Sequence, residues 1–157
     1  HFVCIDSNQA GKAEQHHWLE ADLAQATAQI PKPRAIIAWL HEGPFSAGWH
    51  GDYPTAIKHI VPILTKYQTS LLVSGHDHDY ERGQRLGLDY VVTGGGGAEL
   101  RPLRCDPRRR RCKNQPQFFA NEHHYLKLDI QPGALRICPR RPDGTPLEEC
   151  QVLRLRR

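Results

Sequence analysis

Four short apolar segments, separated by stretches with helical or loop character, constrain this chain most strongly. They cover residues 2–6 (FVCID), 34–40 (RAIIAWL), 70–75 (SLLVSG) and 88–94 (LDYVVTG). Each has the length and the apolar, often β-branched composition of a buried strand. Apolar residues at helical spacing follow the first segment, namely Leu19, Leu23, Ala26 and Ile30. The resulting β-α-β-α-β order predicts an α/β fold with a largely parallel sheet covered by helices.

The connections between these segments carry their own signals. Pro31 and Pro33 end the helix expected over residues 14–29, because proline cannot continue a helix. Pro54 suits the first turn of a second helix, and Pro62 must kink or divide that helix. In the first strand, Cys4 is expected to be a small buried apolar residue.

The pattern changes after residue 100. Residues 124–130, 134–138 and 147–155 alternate or are apolar, and Pro-Gly and Asp-Gly turns separate them. These are signals of antiparallel hairpins. No repeat and no linker interrupts the chain, so we expect one domain with two styles of sheet.

Charge is distributed unevenly between the two parts. Residues 1–100 hold 7 basic and 11 acidic groups, whereas residues 101–157 hold 14 basic and 6 acidic groups. No aromatic residues alternate with the arginines of 108–111, and no nucleic-acid-binding motif frames them. A solvated basic face is therefore favoured over nucleic-acid binding. No apolar run approaches the roughly 20 residues of a membrane span.

Four of the five cysteines occur in two pairs that bracket hydrophilic turns. Cys105 and Cys112 enclose DPRRRR, and Cys138 and Cys150 enclose PRRPDGTPLEE. Neither bracket has the CxxC spacing of a zinc knuckle. Two disulfides are expected, with free thiols as the alternative. Disulfides imply an oxidising compartment, so the predicted location is periplasmic or secreted.

Three histidines follow the ends of predicted strands. His41 ends the second apolar segment, and His76 and His78 follow the third in the sequence GHDH. Ligand sites of open α/β sheets lie outside the carboxyl ends of the strands, so these imidazoles could converge on a metal. Asp77 is expected to turn away from the two histidines beside it. The alternative is that the histidines merely cap strand ends.

Longer motifs around these histidines resemble a known family. LHEGPFSAGWHGD (40–52) and VSGHDHDYERG (73–83) resemble the last two metal motifs of calcineurin-like metallophosphoesterases, in the version of the purple acid phosphatases. FVCIDSN near the start and GLDYVVTGGGGAEL (87–100) also look like that family. The resemblance implies a four-layer αββα sandwich, of which residues 1–157 would be the C-terminal half. Residues 1–100 would carry the metal motifs, and residues 101–157 the closing antiparallel strands.

The resemblance also implies a role for each motif residue. His41 and His76 resemble ligands of one metal ion, and His78 resembles a ligand of a second ion. His50 resembles the histidine that contacts the phosphoryl group and protonates the leaving alcohol. The remaining motif residues, Tyr80, Glu81 and Arg82, resemble the YER sequence that stabilises the loop behind the ligands. In the family, two ions (iron, zinc or manganese) and a hydroxide that bridges them hydrolyse phosphate esters.

The family's Asp-bearing motifs and its GNH[DE] asparagine have no counterpart in this sequence. Three histidines without a bridging carboxylate leave the charge of two adjacent cations uncompensated. We therefore expect an N-terminal segment of the same protein to supply Asp and Asn and to cover strands 2–6 and 34–40. The predicted function is metal-dependent hydrolysis of phosphate esters, with monoesters favoured over diesters. The alternative is a catalytically incomplete pseudo-enzyme or a binding module that uses the three histidines and the basic tail.

Overall fold

A computed structural model describes residues 1–31, 35–101 and 115–155 of the chain. Its strands are β1 (Phe2–Ile5), β2 (Ile37–Leu40), β3 (Leu71–Ser74), β4 (Tyr80–Arg85), β5 (Leu88–Thr93), β6 (Phe118–Ala120), β7 (Tyr125–Gln131), β8 (Ala134–Arg140) and β9 (Gln151–Arg154). Its helices are α1 (Ala13–Ala28), α2 (Pro54–His59) and α3 (Val61–Lys66), and a short 3₁₀ turn covers Ser7–Gln9. In these three ranges no helix is long and apolar enough to cross a membrane.

Six strands form one mixed sheet in the order β1-β2-β3-β5-β4-β6. The pairs β1–β2, β2–β3 and β3–β5 are parallel, and β4 pairs antiparallel with β5 and β6. The parallel part is made by the four apolar segments of the sequence, and helices connect its first three strands. The predicted α/β class with a largely parallel sheet is therefore confirmed.

The helices cover one face of this sheet. Leu19, Leu23 and Ala26 of α1 are buried in the same core as Val3 and Ile5 of β1. The expected fourth member of the helical stripe, Ile30, is instead 97% exposed, because α1 ends at Ala28 and the chain has left the helix. Pro62 divides the second helical segment into α2 and α3, as the sequence predicts.

A second, three-stranded antiparallel sheet of order β7-β8-β9 covers part of the other face. Leu135 and Ile137 of β8 share a core with Leu71 and Val91 of the large sheet. The last predicted strand, 147–155, is shorter than expected, because β9 begins only at Gln151. Residues 147–150 instead approach β8, and the disulfide Cys138–Cys150 joins them to it. The other predicted pair, Cys105 and Cys112, lies outside the described residues.

One apolar face of strands β1 and β2 is exposed. Phe2 is 57% exposed and Trp39 is 39% exposed, and their rings contact each other at a centroid distance of 5.7 Å. Cys4 lies beside Trp39 in the sheet register and is exposed, so the expectation that it is buried was wrong. Alternate residues of a strand point to opposite faces, and β1 uses Val3 and Ile5 for the helix-covered face. The expected exposure of apolar residues on these two strands is observed.

The strand β4 was not expected from the sequence. Its residues include Tyr80, Glu81 and Arg82, which the sequence predicts to stabilise the loop behind the ligands but for which no strand is predicted. A two-residue turn at Leu86 and Gly87, both with positive φ, joins β4 to β5. Two-residue hairpin turns usually carry the sequence Asn-Gly. Here Leu86 stands at the first turn position, although leucine rarely adopts positive φ.

Candidate functional site

His41 and His76 lie together at the carboxyl edge of the large sheet. Leu40 and Ser74 are register partners at the ends of the parallel strands β2 and β3, so the residues after them emerge side by side. His41 Nε2 and His76 Nδ1 are 3.1 Å apart. Two imidazole nitrogens bound tetrahedrally to one Zn²⁺ at about 2.0–2.1 Å lie roughly 3.3 Å apart. The pair therefore has the spacing of two ligands of one ion.

The surroundings of His76 favour its neutral form. Its burial, and then the neighbouring His50, hold the pKa of His76 below its usual value. A neutral imidazole offers the lone pair that binds a metal. The electrostatics of this position thus agree with a ligand.

His78 points to a separate position. Its Nδ1 lies 2.7 Å from the backbone carbonyl oxygen of Glu99, which leaves Nε2 as the nitrogen available to a ligand. Metal-binding histidines commonly donate their other ring N–H to a carbonyl in this way. Across residues 1–31, 35–101 and 115–155, however, no three His, Cys, Asp or Glu side chains converge on one ion position. The structure therefore brings two of the three predicted ligands together.

His50 packs against the histidine pair from the loop between β2 and α2. Its ring centroid is 3.9 Å from that of His76. Its Nδ1 lies 2.9 Å from Asp77 Oδ1, and the guanidinium of Arg101 lies 3.1 Å from its Nε2. The side chain is about one-third exposed. The geometry places a partly accessible imidazole directly beside the candidate ligands.

Asp77 is a site residue that sequence analysis missed. Its carboxylate is buried and accepts hydrogen bonds from the backbone N–H of His50, at 2.9 Å, and from the Ser46 hydroxyl. It was expected only to turn away from the flanking histidines. The signal in the sequence was weak, because Asp77 and His50 are 27 residues apart and meet only when the loop folds back.

Two more buried carboxyl groups follow Asp77 along the chain. Burial, with Asp77 and Glu81 nearby, raises the pKa of Asp79 to about 8. Burial also raises the pKa of Glu81 to about 7, against hydrogen bonds from the Ala47 N–H and the Tyr90 hydroxyl. Glu81 thereby ties the loop that carries His50 to the large sheet.

Tyr80 and Arg82 face the other side of β4. Arg82 donates to both oxygens of Glu148, at 3.0 and 2.6 Å, and the Tyr80 hydroxyl lies 3.4 Å from the same carboxylate. Burial raises the pKa of Tyr80, so its hydroxyl stays protonated. Tyr80 and Arg82 thus connect β4 to the chain after β8, whereas Glu81 contacts the loop that carries His50.

The described residues fit one metal ion better than two. His41 and His76 have the spacing and the chemistry of two ligands. Two of the three buried carboxyl groups are engaged elsewhere: Asp77 binds His50 and Ser46, and Glu81 binds Ala47 and Tyr90. A bridging carboxylate, which a pair of adjacent cations requires, is not offered within the described ranges.

Comparison with known proteins relates this chain to purple acid phosphatases. No protein-family profile matches it. It is 31% identical to purple acid phosphatase 15 of Arabidopsis thaliana over 110 residues, which cover 62% of this chain and 20% of the relative. It is 26% identical to the rabbit (Oryctolagus cuniculus) tartrate-resistant acid phosphatase type 5 over 133 residues, covering 83% of this chain and 38% of the relative.

Two solved structures share the fold over almost the entire chain. Purple acid phosphatase PPD1 from yellow lupin (Lupinus luteus) superposes with a TM-score of 0.81 at 19% identity, over 98% of this chain and 31% of that one. GAP50, described as the anchor in the inner membrane complex of Plasmodium, gives 0.85 at 14% identity, over 99% and 49%.

Fold and sequence together resemble those of calcineurin-like metallophosphoesterases. Within that class the similarity is to a C-terminal part of the purple acid phosphatases. The matched region spans about one-fifth to two-fifths of the length of the curated relatives.

Proposed function

We propose that this chain is the histidine-bearing part of a metal-dependent enzyme that hydrolyses phosphate esters. The observation that carries the proposal is the cluster at the sheet edge. His41 Nε2 and His76 Nδ1 lie 3.1 Å apart, and the ring centroid of His50 lies 3.9 Å from that of His76. This arrangement supports a metal position beside a side chain that can transfer a proton, a combination used in metal-dependent hydrolysis of phosphate esters.

In this proposal the histidines have two different roles, metal binding and proton transfer. His41 and His76 bind one ion, and Nε2 of His78 binds a second ion. His50 contacts the phosphoryl group and gives a proton to the leaving alcohol, since a protonated imidazole is both a phosphate-binding donor and an acid. Tyr80, Glu81 and Arg82 hold the supporting strand in place. The bound ions, iron, zinc or manganese, would supply the hydroxide nucleophile and neutralise phosphate charge.

An N-terminal segment of the same protein is proposed to complete the site with Asp and Asn ligands. Two observations support this. The buried carboxylates of Asp77 and Glu81 already have other partners, and no three potential ligands converge within the described ranges. In addition, Phe2, Cys4 and Trp39 expose an apolar sheet face, and such a face is normally covered. One added segment would both supply the missing ligands and cover the exposed apolar face.

We further propose that the substrates are phosphomonoesters in preference to diesters, and that the protein is periplasmic or secreted. The relatives at 26–31% identity are named acid phosphatases, which supports a phosphatase activity in the whole protein. The disulfide Cys138–Cys150 supports an oxidising compartment.

A binding role without catalysis is the second candidate. The observation that favours it is the incomplete ligand set, because no three potential ligands converge within the described ranges. The same fold occurs in a Plasmodium protein described as an anchor, so the fold is compatible with a non-catalytic role. In this case the histidines would bind one ion or none.

The experiment is a phosphatase assay on the metal-loaded whole protein with p-nitrophenyl phosphate and its bis-ester. We expect chelation to abolish turnover and metal to restore it, with kcat/KM higher for the monoester. His41→Ala should lower kcat/KM at least about a hundredfold, and His50→Ala should lower kcat by about a hundredfold, the lower range for a general acid.

His17→Ala is the matched control, because His17 lies exposed on α1, away from the sheet edge, and it should leave turnover unchanged. Turnover that resists chelation, or that survives His41→Ala, would contradict the proposal. No turnover with stoichiometric metal bound would favour the binding role.

A further inference from the structure

The two contacts of the His50 ring define which nitrogen carries its proton. The Arg101 guanidinium lies 3.1 Å from Nε2, and a guanidinium has only donors. Nε2 must therefore accept this hydrogen bond through its lone pair. In the neutral ring the proton is then on Nδ1, which lies 2.9 Å from Asp77 Oδ1. A carboxylate accepts, so both contacts require the same tautomer.

Asp77 is itself held rigidly enough to impose this arrangement. It is 2% exposed and accepts from the His50 backbone N–H and the Ser46 hydroxyl as well as from the ring. Two glycines, Gly48 and Gly94, pack closely against Asp77. A Cβ on Gly48 would lie 2.6 Å from Asp77 Cγ, and a Cβ on Gly94 would collide with the Asp77 carbonyl oxygen.

We propose that Asp77 is a positioning residue that fixes His50 in the Nδ1–H tautomer, with the Nε2 lone pair directed toward Arg101. Asp77 holds both the loop backbone and the ring of His50, so the orientation of the ring is set before any ligand binds. The catalytic consequence rests on the proposed function. When His50 acts as an acid, the proton leaves Nε2 for the leaving oxygen as the phosphorus–oxygen bond breaks, and Nδ1–H stays with Asp77.

The direct test reads the tautomer by NMR of ¹⁵N-histidine-labelled protein at about pH 8, where an ordinary imidazole is neutral. His50→Gln assigns the signals. We expect a pyrrole-type Nδ1 and a pyridine-type Nε2 for His50 in the unaltered chain. Asp77→Ala should shift both resonances toward the averaged values of a ring that exchanges between tautomers. A His50 ring protonated on Nε2 in the unaltered chain would overturn the proposal.

Two further variants keep the test decisive if Asp77→Ala does not fold. Asp77→Asn retains an oxygen that accepts from Nδ1, and we expect the tautomer to persist. Asp52→Asn is the matched control, because Asp52 lies in the same loop but accepts from the Ser46 N–H and pairs with Arg85. It should leave the His50 resonances in place. Loss of the Nδ1–H tautomer in Asp77→Asn would contradict the role of the Asp77 side-chain oxygen as its acceptor. Loss of the tautomer in Asp52→Asn would show that the effect is not specific to Asp77.

Turnover separates this proposal from the proposed function. In the metal-loaded whole protein, Asp77→Ala should lower kcat about 10–100-fold, as loss of an orienting partner does, and Asp77→Asn should recover most of it. A tautomer change without loss of kcat would support the positioning role and contradict His50 as the acid. A loss of kcat with the tautomer unchanged would overturn the positioning role.

Discussion

The two sides of the GHDH segment differ in how completely their polar groups are partnered. On the inner side, Asp77 and Glu81 are buried and bind several donors from the His50 loop and from β5. On the outer side, His41 and His76 contact mainly each other and His50. His41 is exposed, and His76 and His78 are half-buried.

This difference indicates which part of the site the chain builds by itself. The inner carboxylates fix the loop and the ring of His50 through interactions within the described residues. The outer histidines offer ligand nitrogens, but within the described residues no set of three potential ligands converges on one ion position. Substitutions on the inner side should therefore change folding, whereas substitutions on the outer side should change metal binding and leave folding unchanged.

The largest effect is expected on the outer side. His76→Ala should weaken Zn²⁺ binding to the chain at least about a hundredfold, or roughly 2.7 kcal/mol, because only His41 remains of the pair. Calorimetric titration with Zn²⁺ measures this. The unfolding free energy without metal should change by less than about 0.5 kcal/mol. A similar loss of Zn²⁺ affinity in His17→Ala would show that binding is not specific to the pair.

A methyl group on the inner side should destabilise the fold. Gly48→Ala would place a Cβ 2.5 Å from Asp79 Oδ2 and 2.6 Å from Asp77 Cγ. Overpacking of this kind costs about 1–3 kcal/mol, which urea denaturation would detect. Gly96→Ala is the control, since no atom lies within 4 Å of its Cβ position. Equal stability of the two variants would mean that the loop does not pack on the carboxylates.

The smallest expected effect is a change in how the free energy of unfolding depends on pH. Burial raises the pKa of Glu81 from its ordinary value of 4.5 to about 7. The folded state then binds more protons than the unfolded state between these values, so stability falls as pH rises through that window. Glu81→Gln stays neutral and should remove about 1 kcal/mol or more of this decline. Thermal unfolding at about pH 5 and pH 8 measures it; an unchanged slope would contradict a buried, protonatable Glu81.

The parallel strands and the histidine edge could be predicted because their signals are local. Apolar runs define β1, β2, β3 and β5, and the residues that follow parallel strands must meet at one edge. The contact between Asp77 and His50 depends on the path of a loop without periodicity. Arg101 reaches His50 across 51 residues. Such pairings are set by tertiary packing, which no local pattern encodes.

Two errors have the same origin. Cys4 is apolar in type and lies in an apolar run, yet it is exposed, because burial depends on which face of the strand another layer covers. The strand β4 was missed because its turn uses Leu86 at positive φ. In both cases the local sequence is compatible with more than one environment.

The number of metal ions that one chain binds distinguishes a single site at the histidine pair from a complete two-ion site. The chain would be loaded with excess Zn²⁺, passed through a desalting column and analysed for zinc and protein. One ion, held by His41 and His76, is expected, because within the described residues no set of three potential ligands converges on one ion position. Two ions per chain would contradict the need for ligands from another segment, and none would contradict the histidine pair as a metal position.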